Sequence, residues 1–355
     1  MKQRRMKASK WNKMVIGSVI GVLGILAVVT AVIDPFLHYH KPFPGLQYPL
    51  KDERYQNDGI ARHYEYQAMI TGTSMTQNFK ASQFEELWGV KAIKTSFSGA
   101  SFKEVNDAVR RAISYNPELE YVIRSVDSSR INYPADANEY TDYPEYLYDN
   151  NPFNDVNYLL NKEVVPRTLA VINYTRAGNT TPDMDEYGSW GQYKTYGAAA
   201  VKQTLAVIQG DFDEELKLSE EDKKTIRENV EKNLLQTALD YPDITFYFFF
   251  PPYSIYYWKA LNGTKQLTAQ LEAESMTAEI LLQAENIKVF AFSDDIGITA
   301  DLDNYMDSMH YGPWINEKIL EWMYRGEHQL TKDNYEQYFE QIKALYSEYS
   351  YEEIE

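Results

Sequence analysis

The sequence predicts an α/β protein: a three-layer α/β/α sandwich around a central, mostly parallel five-stranded sheet, preceded by one transmembrane helix. Three observations carry this. Short apolar runs recur along the chain, helical patterns separate them, and one long stretch near the start holds no charge.

The uncharged stretch comes first. Residues 14–33, MVIGSVIGVLGILAVVTAVI, contain no ionisable side chain. At about 1.5 Å per residue they extend roughly 30 Å, the thickness of a bilayer core. Lys2, Arg4, Arg5, Lys7, Lys10 and Lys13 precede them with no acid among residues 1–13. That basic tail predicts a cytoplasmic N-terminus and an extracytoplasmic bulk. A cleaved signal peptide is the rival, but its apolar region is usually shorter and ends in a small-x-small site; here Asp34-Pro35 follows directly. Gly17 and Gly21 form a GxxxG spacing, which also arises because glycine is common in membrane helices.

Residues 34–57 are rich in proline and aromatics and lack periodicity, which predicts a juxtamembrane connector. His38 and His40 there have no obvious third ligand, and an interfacial aromatic belt accounts for them better than a metal does. From residue 58 to 355 the pattern alternates. Strands are predicted over 66–72, 90–99, 119–127, 243–254 and 286–295, with helices over 81–89 and 101–116 and another from Pro313. The helix over 101–116 opens with Ser101 and Glu104 in capping-box spacing and repeats Val105, Ala108, Val109 and Ile113 on one face. Strands that read as unbroken apolar runs, such as FYFFF, are buried on both faces, as in a parallel sheet with helical crossovers. Residues 130–240 read as one insertion over the strand ends, Tyr-rich and acidic at first and helical later. Its tyrosines suit either sugar stacking or a solvated loop. The sequons at Asn173, Asn179 and Asn262 match a pattern frequent by chance.

Composition removes several function classes. Cysteine is absent, so thiolate metal sites, disulfides and cysteine nucleophiles are excluded. Net charge is −17 despite the basic tail, which leaves the remainder at −23 and unsuited to nucleic acid. No glycine-rich phosphate loop is present. The acids Asp294, Asp295, Asp301, Asp303 and Asp307 lack the spacing and terminal Glu of a calcium loop, so no metal or other cofactor is predicted.

The chemistry-bearing residues fall at predicted strand ends. Ser74 follows the first strand; alone it reads as a helix N-cap, or as a nucleophile facing the amides of a helix from Met75. Gly99 follows the second strand in SFSGAS, where a bare amide can approach a ligand. Asp307 and His310 lie three apart before the helix at Pro313, a spacing that lets an aspartate hold an imidazole in one tautomer while its other nitrogen takes a proton from serine.

In that order these residues resemble the GDSL/SGNH hydrolase superfamily: GTSM supplies Ser74, SFSGAS supplies Gly99, and DSMH supplies Asp307 and His310, across about 66–325. The resemblance implies a flavodoxin-like fold, Ser74 as nucleophile, His310 as base, Asp307 as its orienting partner, and the amides of Ser74 and Gly99 as oxyanion donors. The anchor followed by DPFLHYHKPF also looks like membrane-anchored bacterial members, including D-alanyl-teichoic-acid transfer proteins and polysaccharide O-acetyltransferases. It implies an O-acyl esterase or O-acyltransferase acting on a surface glycan or teichoic-type polymer, beside a membrane acyltransferase partner. One position departs: where the family has an asparagine donor, SVDS puts Asp127. An ionised carboxylate cannot donate to an oxyanion, so either Asp127 is protonated, or Arg124 or Arg130 supplies the charge as a substrate-binding group, or the activity is weak or altered. The alternative is a non-catalytic assembly or glycan-binding protein that keeps the fold; a metal-dependent hydrolase ranks third.

Overall fold

The computed structural model describes residues 8–138, 140, 143–149, 151–204, 210 and 212–351. Most of the basic tail, including Lys2, Arg4, Arg5 and Lys7, lies outside them. In chain order the elements are α1 Ala8–Ile33, α2 Glu53–His63, β1 Ala68–Gly72, α3 Ala81–Trp88, β2 Ala92–Ser96, α4 Phe102–Tyr115, β3 Tyr121–Ser125, α5 Ser128–Ile131, α6 Val156–Leu159 and α7 Val164–Arg176. There follow α8 Ala198–Gln203, α9 Glu220–Val230, α10 Gln236–Asp240, β4 Thr245–Phe250, α11 Ile255–Gly263, α12 Leu267–Leu281, β5 Ile287–Ala291, α13 Ile296–Thr299, α14 Pro313–Arg325, β6 Gln329–Leu330 and α15 Tyr335–Glu348.

The chain divides into two compact units. One joins Met1–His63 with Asp142–Pro182; the other joins Tyr64–Thr141 with Asp183–Glu355. The stretch 130–240 is therefore not one body, because its middle third packs on the N-terminal segment. The 34–57 connector is likewise no free linker. Its last residues begin α2, which buries the polar Gln56, Asn57 and Asp58 together with Gly59, Ile60 and Ala61. A helix that buries amides and a carboxylate leaves no apolar stripe to read, which is why periodicity hid it.

In the first unit α1 is long and apolar enough to cross a membrane, and only 11% of its most apolar window is buried within the protein. A core helix would be mostly buried. Just past its end Asp34 adopts φ +50 and is fully buried. Its carboxylate accepts from the amides of His38, Tyr39 and His40 at 2.9, 2.7 and 3.0 Å and from the Tyr158 hydroxyl at 2.5 Å. Phe36, Leu147, Tyr158 and Val164 form a small apolar core beside it. His38 and His40 are engaged locally, His38 with the Tyr39 and Tyr158 rings and His40 with the carbonyls of Ala31 and Lys41.

The second unit is built on a sheet of order β2-β1-β3-β4-β5-β6, parallel except for β6. The five predicted strands are present. The sixth, two residues long and antiparallel at the edge, is too short to leave an alternation in the sequence. The FYFFF run lies in β4 between β3 and β5, and Phe246, Tyr247, Phe248, Phe249 and Phe250 are all buried. Each fully buried side chain of this size contributes about 1.5–3 kcal/mol. At the start of α4 the Ser101 side chain accepts from the Glu104 amide, one half of the expected capping box. By contrast, the helical pattern at 191–209 yields only a short 3-10 turn, Gly191–Tyr193, and α8, with residues 205–209 outside those described.

Glu274, on α12, is a buried acid in this core. It accepts from Ser128 Oγ at 2.5 Å and Gln270 Nε2 at 3.1 Å. Burial lifts its pKa from an ordinary 4.5 to about 7, against the pull of those two hydrogen bonds. Between these values the folded state holds a proton that the unfolded chain has lost, so stability falls as pH rises through the window. Glu274→Gln should flatten that decline in denaturant titrations run between pH 4.5 and 7; an unchanged slope would show that Glu274 does not titrate there.

Candidate functional site

The strand order reverses between β1 and β3, because β1 pairs with β2 on one side and β3 on the other. In open parallel sheets such a switch point opens a crevice beyond the carboxyl ends of the strands. Ser74 follows β1 there and Asp127 follows β3.

The turn carrying Ser74 starts at Gly72, with φ +141. A Cβ at this glycine would lie 2.5 Å from Ser125 Oγ, so only glycine lets the ends of β1 and β3 approach this closely. Thr73 caps the turn: its side chain accepts from the Met75 amide, while its hydroxyl donates to Asp127 Oδ1 at 2.7 Å. Ser74 is thus the first residue of a 3-10 turn, Ser74–Thr76, and not an N-cap. The long helix expected from Met75 is absent; α3 begins only at Ala81, so no extended macrodipole faces the Ser74 hydroxyl.

The turn is pinned from several sides. Lys94 of β2, 1% exposed, donates to the carbonyls of Gln77, Phe79 and Asp185 at 2.6, 3.0 and 2.9 Å. Thr76 Oγ1 shares a hydrogen bond with Ser96 Oγ. Asn316 of α14 donates to the Met75 carbonyl at 3.1 Å.

His310 arrives on a tight hairpin. Tyr305 and Tyr311 bridge antiparallel, and the Met306 amide donates to the His310 carbonyl. Ser254, just past β4, fastens the hairpin by donating twice to the Ser308 carbonyl, and the Tyr305 hydroxyl donates to the Pro252 carbonyl. The hairpin places His310 Nε2 2.8 Å from Ser74 Oγ and His310 Nδ1 2.8 Å from Asp307 Oδ2. Asp307 Oδ1 accepts from the amides of Met309 and His310 at 2.8 and 2.7 Å. Burial alone would raise the Asp307 carboxyl; the His310 ring and the two amides outweigh it and hold it below the usual carboxylate range. Asp307 is therefore ionised at neutral pH and orients the imidazole.

Asp127 does something different from what its position suggested. It is 4% exposed, and both of its oxygens are occupied: Oδ1 by the Thr73 hydroxyl and Oδ2 by the Ser125 hydroxyl at 2.7 Å. Burial pushes its carboxyl up, opposed by these two hydroxyls and by the charges of Arg130 and His310. It serves as a brace under the Ser74 turn and not as an oxyanion donor. Arg124, considered above as a substrate-binding charge, is 2% exposed and donates to the carbonyls of Asn233 and Phe102. A side chain buried between backbone carbonyls does not meet a substrate. Arg130 is half-buried, donating to the Gly99 carbonyl and the Tyr133 hydroxyl, so it supports the turn after β2. Gly99 itself sits in that turn with φ +68.

The acids read as a weak calcium loop have separate duties. Asp294 faces His328, Asp301 caps a short turn, and Asp307 belongs to His310. Among the described residues no group of three or more His, Asp or Glu side chains could hold a metal ion.

One participant escaped the sequence reading. The Trp190 ring stands perpendicular to His310 at 5.5 Å between centroids. Its loop is seated on both segments that carry the Ser–His–Asp relay. Asn78 Oδ1, four residues past Ser74, accepts from Ser189 Oγ and from the amides of Trp190 and Gly191. Gly191 touches Pro313, where a Cβ would lie 2.3 Å from Pro313 Cγ. Tyr193 is 77% exposed on the same loop, and Tyr196 packs against Trp314 at 4.9 Å. No motif marks a tryptophan more than a hundred residues from the serine; the signal available was only its place in a Tyr-rich insertion.

Asn78→Ala would leave two loop amides without an acceptor, at about 1–3 kcal/mol for each that stays buried. Amide hydrogen exchange at 189–193 should accelerate in this variant while exchange in β1 and β3 stays slow. Unchanged protection of the loop would show that Asn78 does not hold it.

No family model matches the chain, and no curated protein matches it. A solved structure from Streptococcus pneumonia, provisionally described as a platelet activating factor, aligns over 77% of this chain and 89% of that chain with 9% identity and a TM-score of 0.40. A likeness at that level assigns no residue a role.

Proposed function

We propose that the chain is a membrane-anchored serine acyl-transfer enzyme of the SGNH kind, an O-acyl esterase or O-acyltransferase acting on a cell-surface glycan or teichoic-type polymer. The observation that carries this reading is the unbroken relay from Ser74 Oγ through His310 to the ionised Asp307. The strand order 2-1-3-4-5 supports the finer fold assignment, a flavodoxin-like three-layer sandwich. The charge-free helix behind basic residues supports an extracytoplasmic bulk. A membrane acyltransferase as donor partner belongs to the same proposal.

The chemistry follows from the tautomer that Asp307 selects. With Nδ1–H donated to Asp307, Nε2 is free to accept the Ser74 proton as Oγ attacks an ester carbonyl. The imidazolium then returns that proton to the leaving alcohol. Water or a polymer hydroxyl, deprotonated by the same nitrogen, attacks the acyl-enzyme and releases Ser74. The Ser74 and Gly99 amides would hold the oxyanion. Because Asp127 offers no third donor, about 2.7–4 kcal/mol of transition-state stabilisation is forgone relative to a three-donor site. A slow reaction on a concentrated, surface-held polymer suits that arrangement better than a fast general esterase. Trp190 beside His310, the exposed Tyr193 on the same loop and the Tyr196–Trp314 pair support a carbohydrate substrate, since aromatic faces offer apolar contact with a polar rim.

A second reading has one observation behind it. Asp127 in place of an amide donor favours a non-catalytic, glycan-binding or assembly protein that keeps the fold. A fluorophosphonate probe separates the two: stoichiometric labelling at Ser74, lost in both Ser74→Ala and His310→Ala, is expected of the enzyme. Each single change should lower turnover of an O-acetylated glycan by at least about three orders of magnitude, with the double variant scarcely worse. Full retention of deacetylation in Ser74→Ala would end the reading of Ser74 as the nucleophile.

Asp127→Asn discriminates brace from donor. As a brace, the carboxylate gives two acceptors to two hydroxyls, and an amide gives one. Esterase activity should therefore stay level or fall in this variant. A marked rise would mean that the side chain faces the oxyanion after all.

A further inference from the structure

We propose that the first unit carries a second membrane contact: α6, α7 and the turn before α6 present an apolar face to the phospholipid bilayer that α1 crosses. The proposal rests on α1 being a membrane span, and it adds a surface that the anchor alone does not require.

The depth of this unit is fixed by α1. Lys10 and Lys13 must stay outside the hydrocarbon, so the spanning stretch begins after residue 13 and includes residues 26–33. Those last two turns are where the unit packs. Thr30 and Ile33 are buried, Leu26, Ala27 and Ala31 are partly covered, and the intervening Val28, Val29 and Val32 remain exposed. Both α6 and α7 contact α1, and the Thr168 and Thr30 hydroxyls meet at 3.5 Å. Residues 26–33 cover about 12 Å of helix. Elements packed beside them therefore lie at the headgroup–acyl boundary and not in bulk water.

The surface of α7 fits that position. Its inward stripe is Val164, Thr168 and Val171, all buried. One residue on, a second stripe of the same i, i+4, i+7 spacing, Val165, Leu169 and Ile172, faces outward; Leu169 is 54% exposed and the other two are half-buried. Arg176 continues this stripe at its end, where a cation would meet lipid phosphate. Val156 on α6 is 55% exposed, and Phe153 in the preceding turn is 93% exposed. Solvated helices carry polar residues at such positions. An exposed apolar stripe on a helix that packs against α1, ending in a cation, is the pattern of a segment lying in the interface.

The chain has no cysteine, so single reporters can be placed without background. Full-length protein carrying a nitroxide at Phe153→Cys, Val156→Cys or Leu169→Cys, with Val22→Cys as the span control, is reconstituted in phosphatidylcholine vesicles. Collision with oxygen and with a water-soluble nickel chelate is read by power saturation. The expected result is a positive depth parameter, oxygen over nickel, at all four positions, smaller at the three new sites than at position 22. Nickel-dominated collision at 153, 156 and 169 with position 22 in lipid would overturn the second contact and leave the anchor standing. Nickel-dominated collision at position 22 as well would overturn both. Spin–spin broadening between labels at 169 would assign the face to a second copy of the chain and overturn the lipid contact.

Discussion

The candidate site depends on how closely the ends of β1 and β3 approach each other at Gly72. A parallel sheet holds its strands at a fixed spacing, and side chains past their ends normally splay apart. Here the missing Cβ lets Ser125 Oγ sit against the β1 backbone, with the Thr73 amide at 3.4 Å. That contact brings the Ser125 and Thr73 hydroxyls within reach of one carboxylate, Asp127. Ser74 is then presented by a turn whose preceding residue is held by its side chain and whose following residues are held by their carbonyls. The geometry with His310 follows from rigid elements on each side, not from the serine itself.

Buried polar groups are the means by which this rigidity is obtained. Lys94 and Asp127 are both almost inaccessible, and leaving either without partners there would cost several kcal/mol. Each is tolerated because it is hydrogen-bonded: Lys94 donates to three backbone carbonyls, and Asp127 accepts from two hydroxyls. An apolar residue at either position would pack without specifying a direction, whereas a polar group with fixed partners allows one arrangement of the turn. The same partners explain why Asp127 gives nothing to an oxyanion: both of its oxygens are directed at the scaffold.

The sequence made some of this legible and hid the rest for physical reasons. Strands buried on both faces read plainly as apolar runs, and the i, i+3 spacing of Asp307 and His310 before Pro313 is local enough to recognise. The partners of Asp127 were invisible because Thr73, Ser125 and Asp127 look like ordinary strand-end residues until β1 and β3 are adjacent. Arg124 looked available because nothing in YVIRSVD distinguishes a guanidinium bound to carbonyls from one facing solvent. The α2 helix was hidden by its buried polar face, and the Trp190 loop by its distance along the chain from Asn78. In each case the missing information was a long-range contact, which local periodicity does not encode.

Asp34 answers a separate problem, how the chain leaves a long apolar helix. The last carbonyls of a helix and the first amides beyond it need partners. The Asp34 amide closes on the Thr30 carbonyl, and its carboxylate gathers the amides of His38, Tyr39 and His40. Proline at position 35 cannot continue the helix without breaking its ladder. The Tyr158 hydroxyl, bonded to the same carboxylate and lying 3.3 Å from the Phe36 amide, then joins this turn to α6. The chain therefore leaves α1 along one path and enters a packed unit within a few residues. With Thr30 buried beside α7 on the helix side and Tyr158 bonded to Asp34 on the loop side, the end of α1 is tied into the packing of α6 and α7.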